Sequence, residues 1–114
     1  MRKRAVLVVA VAGLLALPMV AAAETWKDVP VVDTLCVSKV KKDPDKHTTQ
    51  CALQCAKGGY GLLTPDGAYL KFDAPGNEKT IAALKATKKT DHLRATVVGD
   101  RDGESIKVTS ISIE

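Results

Sequence analysis

HLRATVVGDRDGESIKVTSISIE, residues 92–114, is the stretch on which the fold turns. Its first part alternates Leu93, Ala95 and Val97 against Arg94, Thr96 and Val98, the period of a half-buried strand. DRDGES, residues 100–105, has the composition of a turn, and a second strand follows it. In that strand the apolar phase slips, because Ile106 and Val108 are even whereas Ile111 and Ile113 are odd. One extra residue near Thr109-Ser110, a β-bulge, returns all four side chains to one face.

Moving upstream, NEKTIAALKATKK, residues 77–89, has the pattern of a short amphipathic helix. Asn77 is its expected cap, Ile81 and Leu84 face inward, and Pro75-Gly76 breaks the chain before it. GYGLL and AYLKFD, residues 59–63 and 68–73, flank the turn Thr64-Pro65-Asp66-Gly67 and read as two strands. In the second of them Leu70 and Phe72 face the core, while Tyr69 and Lys71 face water. Asp43-Pro44 is a helix start and Gly58-Gly59 a stop, which predicts a helix over 44–57 that begins as late as Thr48 in the shorter reading. WKDVPVVDTLC, residues 26–36, is the first strand; Pro30 lacks an N–H and requires an edge or a bulge there.

The order is strand, helix, strand, strand, helix, strand, strand. That predicts a mainly β domain with two short helices: a small five-stranded OB-like barrel, β-α-β-β-α-β-β, whose first connection carries its own helix. An open α+β sheet is the competing architecture.

The chain opens MRKRAVLVVAVAGLLALPMVAAAETW. Arg2, Lys3 and Arg4 precede an apolar run from Ala5 to Leu17, and Ala21-Ala22-Ala23 supplies small residues for cleavage. Residues 1–23 are therefore expected to be a signal peptide and 24–114 a single domain, periplasmic or secreted and without a membrane anchor after cleavage. The formal charge of the whole chain is +4; losing the leader leaves 14 basic against 13 acidic residues, or +1. That near-neutral balance and the few aromatic residues argue against nucleic acid as a partner. The lysine clusters at 39–46 and 85–89 are expected to be solvated surface.

HTTQCALQC, residues 47–55, places His47, Cys51 and Cys55 four apart, with Cys36 upstream. In an oxidising compartment a disulfide from Cys36 to Cys51 or Cys55 is the first expectation. Cys51 and Cys55, on neighbouring turns of one helix, cannot pair without breaking it. Closing a loop of about 15–20 residues is worth roughly 3 kcal/mol. The rival reading is a metal site of Cys36, His47, Cys51 and Cys55, a Cys3His set suited to zinc or copper. On one continuous helix residues 47 and 55 stand about 12 Å apart along the axis, so the four converge only if His47 precedes the regular helix and folds back. A third reading makes Thr48, Cys51, Ala52, Cys55 and Ala56 a packing face of small residues, with His47 exposed at its edge.

The Trp-led first strand, D-x-x-C at Asp33–Cys36 and H-x3-C-x3-C-x-K-G-G at His47–Gly59 resemble a set of small exported bacterial proteins of unknown function, similar also in the closing hairpin. The resemblance covers most of the chain after the leader; it implies an OB-like fold and carries no activity.

DRDGE, residues 100–104, lacks a full calcium loop and is expected to be a solvated turn, and His92 to lie at the surface. No Ser/His/Asp arrangement, paired-carboxylate motif or phosphate-binding glycine loop supports an enzyme. If the fold is OB-like, ligands lie across the second and third strands, where Tyr60, Tyr69 and Lys71 are the candidates. The expected function is an exported OB-like binding module, pinned by a Cys36 disulfide and without a cofactor. Its partner would be a small ligand, a cell-envelope glycan or an envelope protein. The alternative is a periplasmic metal-binding protein using zinc or copper.

Overall fold

In the computed structural model, residues 23–114 are described. The leader expected at 1–23 thus falls, but for its last residue, outside the described residues. Five strands close into a barrel: β1 (Glu24–Asp33), β2 (Tyr60–Leu63), β3 (Tyr69–Phe72), β4 (Arg94–Asp102) and β5 (Ser105–Ile113). Around the barrel they run β1-β2-β3-β5-β4, with β4 returning to β1. All neighbours are antiparallel except β3 and β5, which pair in parallel at Lys71–Ser105 and Phe72–Ile106. With a helix between the third and fourth strands, this is the small five-stranded OB-like barrel that the element order predicts, and the open sheet is excluded.

The closing hairpin carries its bulge where the apolar phase slips. Val98 pairs with Ser110 but Gly99 with Val108, so Thr109 is the extra residue. Thr109 and Ser110 both face solvent, which lets Ile106 and Val108 on one side of the slip and Ile111 and Ile113 on the other join the same core. A second bulge lies in β1, between the pairs Trp26–Val97 and Val29–Ala95, with Asp28 at φ 54. It precedes Pro30, which is the last β1 residue paired with β4 before the strand turns to β2. Pro30 therefore sits where the ladder changes partner and no N–H is missed.

Val29, Val31, Leu62, Leu70, Phe72, Leu93, Ala95, Val97 and Ile106 fill the barrel. Each fully buried aliphatic side chain of this kind is worth about 1.5–3 kcal/mol.

Two helix boundaries differ from the sequence expectation. The second predicted helix runs over Ala74–Ala86, is capped by the Asp73 side chain, which accepts from Gly76 N, and includes Pro75 and Gly76 in its first turn. Pro75 costs nothing there, since first-turn N–H groups have no helical partner. Gly76 is needed for packing, because a Cβ on it would stand 2.6 Å from Val108 Cγ2. Asn77 is not the cap; its Oδ1 accepts from Tyr60 N at 2.8 Å.

The first predicted helix breaks into three pieces. Pro44–Lys46 form a 3-10 turn, His47 is extended, and a regular helix occupies only Thr49–Gln54, followed by a 3-10 turn at Ala56–Gly58. The late start is correct because Thr48 caps this helix, its side chain accepting from Cys51 N at 3.1 Å. A further one-turn helix, Val37–Val40, lies between β1 and these pieces, where no helix was expected. In chain order the helices are α1 (Val37–Val40), α2 (Thr49–Gln54) and α3 (Ala74–Ala86). No helix among the described residues is long and apolar enough to cross a membrane.

Candidate metal centre

Where β1 ends, Asp33 is fully buried and both of its carboxylate oxygens are engaged. Oδ2 accepts from Cys36 N at 3.0 Å, and the Asp33 carbonyl accepts from the same N–H at 3.2 Å. This is the reason for the D-x-x-C spacing: an aspartate three residues ahead captures the amide at the start of α1 and turns the chain. It also sets the Cys36 side chain beside the Asp33 carboxylate.

The chain returns through His47. Arg94 Nε and Nη2 donate to the two carboxylate oxygens of Asp45 at 3.0 and 3.2 Å, and His92 N donates to Asp45 O at 2.9 Å. Thr49 N donates to Thr90 O at 2.9 Å, and Thr49 Oγ1 to Lys89 O at 2.7 Å. These contacts clamp residues 45–49 to the connection between α3 and β4. His47, extended between its 3-10 turn and α2, is thereby directed inward: it is 5% exposed, and Nε2 donates to Asp33 Oδ1 at 2.6 Å. The reading that left His47 exposed at the edge of a packing face is corrected. A helix continuous through position 47 would have carried it away; the Thr48 cap prevents that.

Asp33, Cys36 and His47 form a group whose ligand atoms all lie within 4.8 Å of one another. Oxygen, sulfur and nitrogen donors from two separated segments converge, a set suited to a borderline cation such as zinc. Cys55 is next to the group but not in it: its Sγ stands 3.8 Å from Cys36 Sγ. Cys51 is exposed and belongs to neither contact. Of the four residues of the Cys3His set, the structure thus brings Cys36 and His47 together, places Cys55 beside Cys36 alone and leaves Cys51 outside. Asp33 is the donor that the cysteine pattern did not name, although its place in D-x-x-C is its signal.

All three cysteines are free thiols. The expected disulfide is not formed, and Cys55 rather than Cys51 is the sulfur facing Cys36. Burial pushes the Cys36 thiol up to about 11, helped by the neighbouring Cys55 and by the negative charge of Asp33. A cation in the group would reverse this, since coordination deprotonates a thiol outright.

The residues expected on a ligand face are placed differently from one another. Tyr60 is buried in the core, with its hydroxyl donating to Ala52 O at 2.7 Å, and burial raises its phenol to about 12. It is a packing residue and not an open platform, because its side chain follows the inward phase of Leu62. Tyr69 stands on the outer side, yet its hydroxyl donates to Val32 O at 2.8 Å and meets Thr34 Oγ1 at 3.0 Å. Lys71 is exposed. Val32 and Leu63 are buried although they lie outside the inner core. Beside Leu63, the first connection contributes Lys41 and Pro44 to a shallow cleft of about 350 Å3. Part of the outer barrel face is thus occupied by the chain's own connection. The acidic residues of the β4–β5 turn and His92 are exposed.

No protein-family model, curated protein or solved structure matches this chain.

Proposed function

We propose that this is an exported metal-binding protein in which an OB-like barrel holds a zinc ion at Asp33, Cys36 and His47. One observation carries the reading: three different donor atoms, from residues that the fold brings together out of two segments, lie within 4.8 Å of one another. Asp33 and His47 are buried, and the clamps on residues 45–49 fix where the two meet; zinc would replace the hydrogen bond they make to each other. Charge favours zinc over copper(I). A carboxylate, a thiolate and a neutral imidazole sum to −2, which a divalent ion cancels and a monovalent ion does not. The oxygen donor points the same way. The leader sequence supports a periplasmic or secreted location. The role is binding, as store or carrier, with no reaction assigned.

Competition of the reduced protein against a chromogenic zinc chelator tests this. One zinc per chain should bind, and Cys36→Ser or His47→Ala should weaken it by tenfold or more, the cost usual for a lost ligand or orienting partner. Equal affinity in wild type and both variants would sink the reading.

A second reading keeps the protein as an OB-like module pinned by a Cys36–Cys55 disulfide, recognising a small ligand, a glycan or an envelope protein. The 3.8 Å gap between those sulfurs favours it. The engaged Tyr69 hydroxyl and the buried Tyr60 count against the ligand face it needs.

A further inference from the structure

We propose that Cys55 makes the metal site redox-gated: reduced, it is the fourth zinc ligand, and oxidised, it forms a disulfide with Cys36 that withdraws two ligands and releases the ion. This rests on the metal-binding reading above.

The separation of the two sulfurs suits both states, with Cys55 turning toward Asp33 and His47 to join their group when zinc is bound. Sulfurs each about 2.3 Å from a tetrahedral zinc stand roughly 3.8 Å apart, and Cys36 Sγ and Cys55 Sγ are 3.8 Å apart. A closing movement of about 1.8 Å takes the same pair to a disulfide bond length of roughly 2.05 Å. Both residues sit at helix ends, Cys36 opening α1 and Cys55 closing α2, where side chain and backbone can turn without breaking a helix interior. Both are partly exposed, so a reagent in solution can reach them. Cys51, the third thiol, points away and is not needed in either state.

The metal-free state is also satisfied. When the ion leaves, Asp33 Oδ1 and His47 Nε2 have each other at 2.6 Å, and Asp33 Oδ2 keeps the Cys36 amide. Release therefore strands neither buried side chain. The oxidant is a disulfide, small or protein-borne. One cysteine sulfur attacks it, forming a mixed disulfide and expelling one thiolate. The second cysteine sulfur attacks the protein-side sulfur of that bond and expels the other thiolate. Two electrons pass from the cysteine pair to the incoming disulfide, both leaving thiolates take up protons from water, and zinc departs as Zn2+.

The test uses the exported protein, reduced, loaded with one zinc and titrated with oxidised glutathione while a chromogenic chelator reports free zinc. The expected result is zinc release in step with a mass loss of two hydrogens, with peptide mapping that joins Cys36 to Cys55. The oxidised protein should bind zinc at least 100-fold more weakly, and added reductant should restore binding. Cys51→Ser should behave as wild type, since its remaining thiols are the proposed pair. A mapped Cys36–Cys55 disulfide in protein that keeps its zinc affinity within threefold would overturn the gate and leave the metal site standing. A disulfide that includes Cys51 would overturn the gate as well. A reduced protein that takes up no zinc would overturn the metal-binding reading itself, and the gate with it.

Discussion

His47 Nε2 donates to Asp33 Oδ1 at 2.6 Å across fourteen positions of sequence, with both side chains buried. The contact fastens the long first connection to the end of β1, and it places an imidazole and a carboxylate beside Cys36. Structure and proposed chemistry therefore share two residues, and their substitution has two separable effects.

In metal-free, reduced protein, His47→Ala leaves the Asp33 carboxylate buried and without its partner. Leaving a buried hydrogen-bonding group without its partner in this way costs about 1–3 kcal/mol. Urea denaturation should show the midpoint falling with an unchanged slope. Excess zinc at 100 times its dissociation constant should add about 2.7 kcal/mol to wild type and much less to the variant. A variant as stable as wild type without metal would mean that the pair does not anchor the connection.

Tyr60 is expected to behave as a core residue. Tyr60→Phe removes a buried hydroxyl that donates to Ala52 O, at a cost of about 1–2 kcal/mol. Zinc affinity should change by less than threefold. A loss of zinc binding with stability intact would give Tyr60 a role in the site.

The Asp45–Arg94 ion pair gives the clamp an acid limit. The hydrogen bond from Arg94 holds the Asp45 carboxyl below its usual value of 3.8, so folding favours the ionised form. Its contribution is complete above that value and is lost as pH falls through the lowered folded value. Both side chains are about one-third exposed, which limits the contribution to about 0.5–1 kcal/mol after screening. Asp45→Asn should lower stability by that amount at pH 7 and by less at pH 2, measured by thermal unfolding at both. An equal difference at the two pH values would assign the effect to packing.

The barrel was legible in the sequence because its strands carry their faces openly. The phase slip between Val108 and Ile111 located the Thr109 bulge, since only an extra residue keeps both on the core. The first connection was not legible to the same degree. Asp43-Pro44 does start a turn, but contacts from the distant residues 89–94 decide that the chain straightens at His47 before α2 begins. Likewise Pro75-Gly76 has the composition of a break, and only the approach of α3 to Val108 gives both residues a place in its first turn. In the site, Cys36 and His47 were visible from ligand type and spacing. Asp33 was not, because one aspartate at a strand end is ordinary until its burial is known. Cys51 was included on helical spacing, and its side chain falls on the outer side of a helix only six residues long.

Cobalt(II) substitution tests the central claim most directly, since cobalt(II) reports both geometry and sulfur ligation. Reduced wild-type protein titrated with cobalt(II) should saturate at one ion per chain, with intense visible bands of a tetrahedral site and a near-ultraviolet sulfur-to-metal band. That last band should lose at least half its intensity in Cys36→Ser and persist in Cys51→Ser. A weak spectrum like that of hydrated cobalt(II), the same in all three proteins, would show that Asp33, Cys36 and His47 meet only to hold the fold together.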